Sequence, residues 1–250
     1  MPDPQQASPL EVVRELLLRR GAGYLRTVRW QVGLTCPMCA GVPSGDFQTC
    51  FHCGPWQSRQ DLADRLGFMT YALKGSQSGH MMYAYKEDFP SSSARQTLAL
   101  ATAYTVMYHW ACLQGGPLGP VTHWATVPSL RGRTALNDVV APIMDAQPLV
   151  RADLRPSHDS MKTRDLRPQN FLVSALPAAH VLLLEDTWVG GTTAQSAAAA
   201  LKTAGAQAVT VLAVARWLDR QWGRTSELLA VLARDPYDPD NCPFTGAHCR

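Results

Sequence analysis

Residues 180–193 read HVLLLEDTWVGGTT and run into an alanine-rich segment that reaches Gly205. Four consecutive branched apolar residues, Val181, Leu182, Leu183 and Leu184, followed by Glu185 and Asp186, predict a strand buried on both faces whose carboxyl end reaches solvent. A helix follows almost at once, with Thr192 or Thr193 as its expected N-cap, high propensity from Ala194 to Lys202, and Gly205 as its stop. That leaves Thr187 to Gly191 as a tight turn, where backbone N–H groups face outward and the helix dipole favours an anion. An acidic pair beside such a cradle suits a ligand carrying hydroxyls and a phosphate. The plainer reading of the same residues is an ordinary strand, turn and helix of a parallel sheet.

Strands and helices alternate on both sides of this stretch. Val121 to Pro128 reads as a strand, Ser129 to Arg133 as the loop at its carboxyl end and Thr134 to Ala146 as a helix. Leu149 to Leu154, Phe171 to Leu176 and Ala208 to Ala215 read as further strands, and Trp217 to Arg234 as the last helix. His158 to Arg167 is polar and aperiodic, which predicts a mobile loop. Nearer the N-terminus, Leu10 to Arg20 has helical spacing, Asp61 to Lys74 reads as a link that is helical at first, Gly75 to Gly79 as a flexible break, and Ala94 to Leu113 as a long apolar helix. The alternation predicts an α/β fold with a parallel, twisted sheet and ligands at the carboxyl ends of its strands. Both loops that suit a ligand, 129–133 and 187–191, follow strands in this way.

A cysteine module precedes that domain. Cys36 and Cys39 form one C-x-x-C pair and Cys50 and Cys53 a second, with Gly41, Gly45 and Gly54 placed for tight turns. Two pairs at this spacing are the sequence form of a zinc ribbon, in which four thiolates close a tetrahedral shell and leave no open catalytic position. Structural zinc contributes on the order of 10 kcal/mol to folding so small a module. His52 lies between ligands and is a candidate substitute for one. His109 and His123 sit in apolar surroundings and read as core residues, and Cys112 as a small core hydrophobe. After a Pro/Asp-rich break, Cys242, His248 and Cys249 have the chemistry to reach a metal or the ribbon, but the segment alone supplies fewer than four ligands. The expected division is residues 1–70 for the N-terminal helix and ribbon, 71–235 for the α/β domain and 236–250 for the tail.

With 23 basic and 20 acidic residues, the net charge of +3 gives no bulk electrostatic reason to bind nucleic acid. The N-terminus is polar, without the basic start and apolar core of a signal peptide, and the longest uncharged segment is broken by Gly and Pro. A cytoplasmic protein without a membrane role is expected. In that compartment paired cysteines stay reduced and serve metals.

The strand, acidic pair, Thr/Gly turn and helix resemble the phosphoribosyl pyrophosphate (PRPP) motif of type I phosphoribosyltransferases. A zinc ribbon in front of such a domain resembles the ComF-like family, over roughly residues 34–216. Tyr85, Lys86 and Glu87, then Val127, Pro128 and Arg131, then Arg167 and Asn170 fall in the family's order. The resemblance implies a sheet of the type I phosphoribosyltransferase kind and transfer of a phosphoribosyl group to an acceptor, with release of pyrophosphate. It places Glu185 and Asp186 on the ribose hydroxyls, and Thr187, Val189, Gly190, Gly191, Thr192 and Thr193 around the 5′-phosphate. Arg131 and Arg133 are implied for pyrophosphate, together with Mg²⁺, and the loop bearing Lys162, Arg164 and Arg167 for closure over the reacting centre. Glu185, Asp186, Arg164 and Lys162 are then the catalytic candidates. Thr187 and Trp188 stand where small aliphatic residues are usual, and Gly190 where a Thr is usual; Trp188 either covers the ribose or caps the core. The alternative implied function is a non-catalytic binding protein, in which the ribbon contacts single-stranded DNA or a protein partner and the PRPP site is a sensor or relic. Segment 34–60 holds one Arg and no Lys, so the DNA footprint would come from Arg14, Arg19, Arg20, Arg26 and Arg29.

Overall fold

Five parallel strands form the central sheet of a computed structural model that describes residues 7–114 and 116–249. Residues 1–6, Gly115 and Arg250, which the sequence assigns to the polar N-terminus, the glycine-rich break and the tail, lie outside the described residues. The sheet comprises β1 (Arg65–Leu73), β2 (His123–Thr126), β3 (Val150–Arg151), β6 (His180–Trp188) and β7 (Ala208–Leu218), in the order β1-β7-β6-β2-β3. Two short strands, β4 (Leu154–Pro156) and β5 (Phe171–Val173), pair antiparallel as a separate ribbon. Phe171 to Leu176 therefore does not return to the main sheet, as its apolar run suggested.

The sequence pattern of β6 is realised as read. Val181 to Leu184 are all fully buried, with Val181 and Leu183 packed on one face and Leu182 and Leu184 on the other. On the first face lies α6 (Thr192–Thr203), whose Ala197, Ala198, Ala199 and Ala200 keep helix and sheet close. On the second lie α1 (Pro9–Gly21), α2 (Gln77–Ala84), α3 (Ser92–Tyr108) and α5 (Ala135–Met144). The short α4 (Trp110–Gln114) follows α3, and α7 (Thr225–Leu232) closes the helical series. Ser8 starts α1 through a capping box with Glu11, the two reciprocal bonds being 3.2 and 2.7 Å.

Several boundaries differ from the sequence reading. Most of the 61–74 stretch, Arg65–Leu73, is an edge strand rather than a helical link, and the domain boundary expected at residue 70 falls inside it. The break expected at 75–79 is largely α2. β7 continues through Arg216, Trp217 and Leu218, and the final helix begins only at Thr225. No strand forms between residues 22 and 64, so the cysteine module is two turns and a 3₁₀ segment (Gly54–Trp56) rather than a stranded ribbon. It packs with Phe68, Tyr71, Val211 and Ala213, covering β1 and β7 on the face that α6 covers farther along the sheet. No described helix is long and apolar enough to cross a membrane.

The fold creates a switch point. From β2 the chain crosses through α5 to β3 on one side, and from β6 it crosses through α6 to β7 on the other. β2 and β6 are hydrogen-bonded neighbours, with Thr126 opposite Leu184, so the loops that follow them leave the same edge side by side. Crevices at such points are where open parallel sheets bind ligands. The close approach of α6 to the sheet makes its alanines intolerant of size. Ala198→Leu is expected to cost about 1–3 kcal/mol by overpacking, read as a lowered urea midpoint at unchanged slope.

Candidate functional site

The turn after β6 is tighter than its sequence suggested. Thr187 and Trp188 belong to the strand, the Thr187 hydroxyl being buried with no partner among the described residues. Trp188 is buried, edge-on to Phe68 at 5.7 Å between ring centroids. At 1% exposure it caps the core beneath the turn. Its indole lies under Gly191, where an added Cβ would come within 2.1 Å of the ring, and Gly191 itself has φ +82°. Gly191 is the N-cap of α6, so Thr192 and Thr193 fall in the first turn rather than at the cap, half-buried. A Cβ on Gly190 would sit 3.0 Å from the His52 ring, so the cysteine module abuts the turn and a side chain such as Thr would displace it.

Arg216 holds this turn from behind. It is the one charged residue of β7, and it is 5% exposed. Its Nη1 donates to the carbonyls of Trp188 and Val189, each at 3.1 Å, and of Trp217 at 2.7 Å. Its Nε donates to the Cys39 carbonyl at 2.9 Å and its Nη2 to Cys39 Sγ at 3.4 Å. Because a trans peptide points its N–H away from its C=O, carbonyls drawn toward Arg216 turn the N–H groups of Val189 and Gly190 outward. No described backbone carbonyl receives the N–H groups of residues 189–193. Together with the first turn of α6, they make a row of donors at the positive end of a helix dipole.

Cys36, Cys39, Cys50 and Cys53 are all buried, and their sulfurs lie within 4.8 Å of one another, a group that can hold a metal ion. Ionisation of one thiol opposes ionisation of the rest. Hydrogen bonds from Cys36, then Cys50 and Cys53, with the Arg216 charge, hold Cys39 well below the ordinary thiol range, whereas hydrogen bonding with Cys36 and Cys39 drives Cys50 and Cys53 up. A dication resolves that conflict, which is how the donor set fits a metal. His52 faces Gly190 and is not part of the group.

At the end of β6 the two acids meet different fates. Asp186 accepts from the Tyr85 hydroxyl at 2.7 Å and from the Lys86 ammonium. Burial raises its pKa, but the Lys86 charge and those hydrogen bonds outweigh it, and the carboxyl stays below its ordinary value. Glu185 accepts the Asp186 N–H at 3.0 Å. Burial first, and the Asp186 charge second, push Glu185 well above the ordinary carboxylate range. The two carboxyls are thus driven in opposite directions, Glu185 toward its protonated form and Asp186 toward its ionised form, which suits donating to and accepting from vicinal hydroxyls.

The remaining candidate residues are less constrained. Arg131 and Arg133 are exposed on the loop after β2, whose turn forms through bonds from Arg131 and Gly132 to Ser129. Arg133 borders a shallow groove with Glu87, Asp88 and Phe89. Lys162 is exposed, and Arg164 is placed by its carbonyl, which accepts from Thr192 Oγ1 at 3.3 Å. Both ends of that loop are pinned: the Arg167 N–H donates to Ser196 Oγ at 2.9 Å, and buried Asn170 brackets Met161 with two bonds. Tyr85 and Lys86, noted in the sequence only by their order, prove to contact Asp186. Arg216 and His52 were missed as parts of the site. A lone arginine in an apolar run was the available signal for Arg216; nothing in the sequence gives the contact of His52 with Gly190. No family model matches the chain, and no curated protein matches it.

Two outcomes follow from this geometry. Arg216→Met, which strands buried carbonyls and a thiolate, is expected to cost about 3–5 kcal/mol in urea denaturation and to open segment 31–60 to proteolysis; Arg216→Lys, lacking the planar fork, is not expected to restore either. Glu185 carries a raised pKa in the folded chain, so the folded form binds the extra proton and stability falls as pH rises from the ordinary value of 4.5 through the raised one. The stability of Glu185→Gln relative to wild type should therefore grow with pH across that window and be flat below it, measured by denaturant titrations at each pH.

Proposed function

We propose that the chain binds PRPP or another ribose 5-phosphate and acts as a phosphoribosyltransferase of the type I kind, with a zinc-stabilised N-terminal module as in the ComF-like family. The observation that carries this reading is the pairing, at the switch point of the sheet, of an acid pair with an outward-facing amide turn. The reading assigns the ribose hydroxyls to Asp186 and Glu185, and the 5′-phosphate to the N–H groups of residues 189–193 with the hydroxyls of Thr192 and Thr193. Gly190 costs the cradle one hydroxyl relative to the family pattern, yet most of such a cradle is backbone.

Loss of pyrophosphate from the anomeric carbon builds oxocarbenium-like charge, so the residues contribute positioning and charge neutralisation rather than covalent chemistry. Arg131 and Arg133 hold pyrophosphate from the neighbouring loop. Arg164 and Lys162 lie on the segment that reaches α6 and exclude water from the reacting centre. In the free chain Lys86 neutralises Asp186; arrival of the ribose releases that ammonium toward the pyrophosphate. Bound Mg²⁺ supplies charge screening of pyrophosphate oxygens. Both acids being assigned to the ribose hydroxyls, the ion is carried mainly by the phosphate oxygens.

A second reading, partner binding through the cysteine module, is favoured by Phe47 and Phe51, 76% and 83% exposed. Single-stranded DNA is the weaker partner, because Arg14, Arg19 and Arg29 are already paired with Asp240, Glu15 and Asp235.

Calorimetry is expected to show Mg²⁺-dependent PRPP binding that Asp186→Asn weakens by about tenfold to a hundredfold. Unchanged affinity in that variant would sink the ribose assignment. A screen of nucleobases and amines for PRPP-dependent pyrophosphate release identifies the acceptor; binding without release from any of them favours the sensor reading.

A further inference from the structure

A second group of metal-ligand side chains lies outside the site described above, where the C-terminal tail meets the end of the long helix. His109 is the residue after α3 and Cys112 lies in α4, three positions on; Cys242 and Cys249 come from the tail. One ligand atom from each of these four lies within 4.8 Å of the others, and all three cysteines are free. Tetrahedral coordination at zinc bond lengths spaces ligand atoms about 3.5–3.8 Å apart, a separation this group reaches with small side-chain adjustments.

The surroundings are those of a built site. His109 Nε2 lies 3.1 Å from the Pro239 carbonyl, which fixes the proton there and leaves the Nδ1 lone pair facing Cys249 Sγ at 3.1 Å. Cys112 Sγ is 2.8 Å from Cys249 Sγ. The tail segment folds into a tight turn to bring its two cysteines together: the Gly246 and Cys242 N–H groups donate to Cys242 O and Ala247 O, both at 2.8 Å, with Gly246 at φ +68°. Three thiolates, a neutral imidazole and a dication sum to one negative charge. Arg65 lies within Coulombic reach of all three sulfurs and donates to the Cys112 carbonyl at 2.6 Å.

We propose that His109, Cys112, Cys242 and Cys249 form a second structural metal site, of Cys₃His type and suited to zinc, that clasps the C-terminal tail across the edge of the sheet. Soft thiolates with one imidazole in a closed tetrahedral set select zinc among the common divalent ions. The clasp has a mechanical role. β1 is an edge strand, and the tail covers part of its exposed edge: the Phe68 N–H donates to Pro243 O at 2.9 Å, and Phe244 lies over Gly67, where a Cβ would meet the ring at 2.4 Å. Arg14 and Tyr104 both grip Asp240, at 2.9 and 2.5 Å. The metal fixes the far end of a segment that otherwise has little core of its own.

Zinc analysis of the full-length chain, purified without chelator, tests the proposal. Two equivalents per chain are expected, falling to one in Cys242→Ser/Cys249→Ser while the first group keeps its ion, and returning to two in Cys249→His. One equivalent in the wild-type chain overturns the site, whether all seven thiols titrate in denaturant or two of the seven are lost to a disulfide. Two equivalents that persist in the double variant overturn it as well. Should the double variant fail to fold, cobalt titration of the wild-type chain decides: thiolate-to-cobalt charge transfer growing through a second equivalent supports the site, and saturation at one overturns it.

Discussion

Arg216 makes five donations from near the carboxyl end of a buried strand, and the rest of the molecule is arranged around them. A guanidinium cannot be placed among apolar side chains without acceptors for its donors and a negative charge nearby. Burial alone disfavours its ionised form, but the Cys39 thiolate outweighs that and raises its pKa. The acceptors come from two separate parts of the chain, the Cys39 loop and the turn at Trp188 and Val189. Each part constrains the other through this one side chain. Gly41 is a consequence, since any Cβ there would lie 1.7 Å from the guanidinium. The turn that faces a ligand is thus shaped from behind by the cysteine module.

That coupling explains why the module is not an independent appendage. It has no strands of its own and buries Cys36, Cys39, Ala40 and Trp56 against β1 and β7, where the Tyr71 hydroxyl donates to the Ala40 carbonyl at 2.8 Å. In a doubly wound sheet this place is ordinarily taken by a helix. Metal-held turns can replace a helix there because the ion supplies the rigidity that a hydrogen-bonded ladder would otherwise give. The same packing delivers His52 to Gly190. Smallness at 190 and 191 therefore answers two neighbours, the imidazole above and the Trp188 indole below.

The sequence made β6 legible because burial on both faces demands an unbroken apolar run, and its acids mark the end of burial. It also carried the two C-x-x-C pairs, since ligand spacing within a pair is local information. β1 was not legible: Arg65 to Leu73 mixes Gly, Thr and Tyr because it is an edge strand whose neighbours include the tail and the cysteine module, and such a pattern has neither period. The true length of β7 was hidden by Arg216, a charge that reads as the end of burial unless its partners are known. His109 and Cys112 read as core residues for a related reason. Their partner Cys249 lies 140 and 137 residues away in sequence, and spacing within one segment cannot reveal a group assembled from two.

Two groups of thiols thus stand on opposite flanks of the same edge. The first, through Arg216, fixes the end of β7 and the turn after β6; the second, through Pro243 and Phe244, fixes the start of β1. Between them they flank β1 and β7, whose other face is covered by α2 and α3. The carbonyls of the turn are held by Arg216, whereas the side chains of Arg131, Arg133 and Lys162 are exposed, the loop of Lys162 being tied to α6 through Thr192 and Ser196. The backbone of the turn is thus fixed by buried donors, and the freedom that remains lies in exposed cationic side chains.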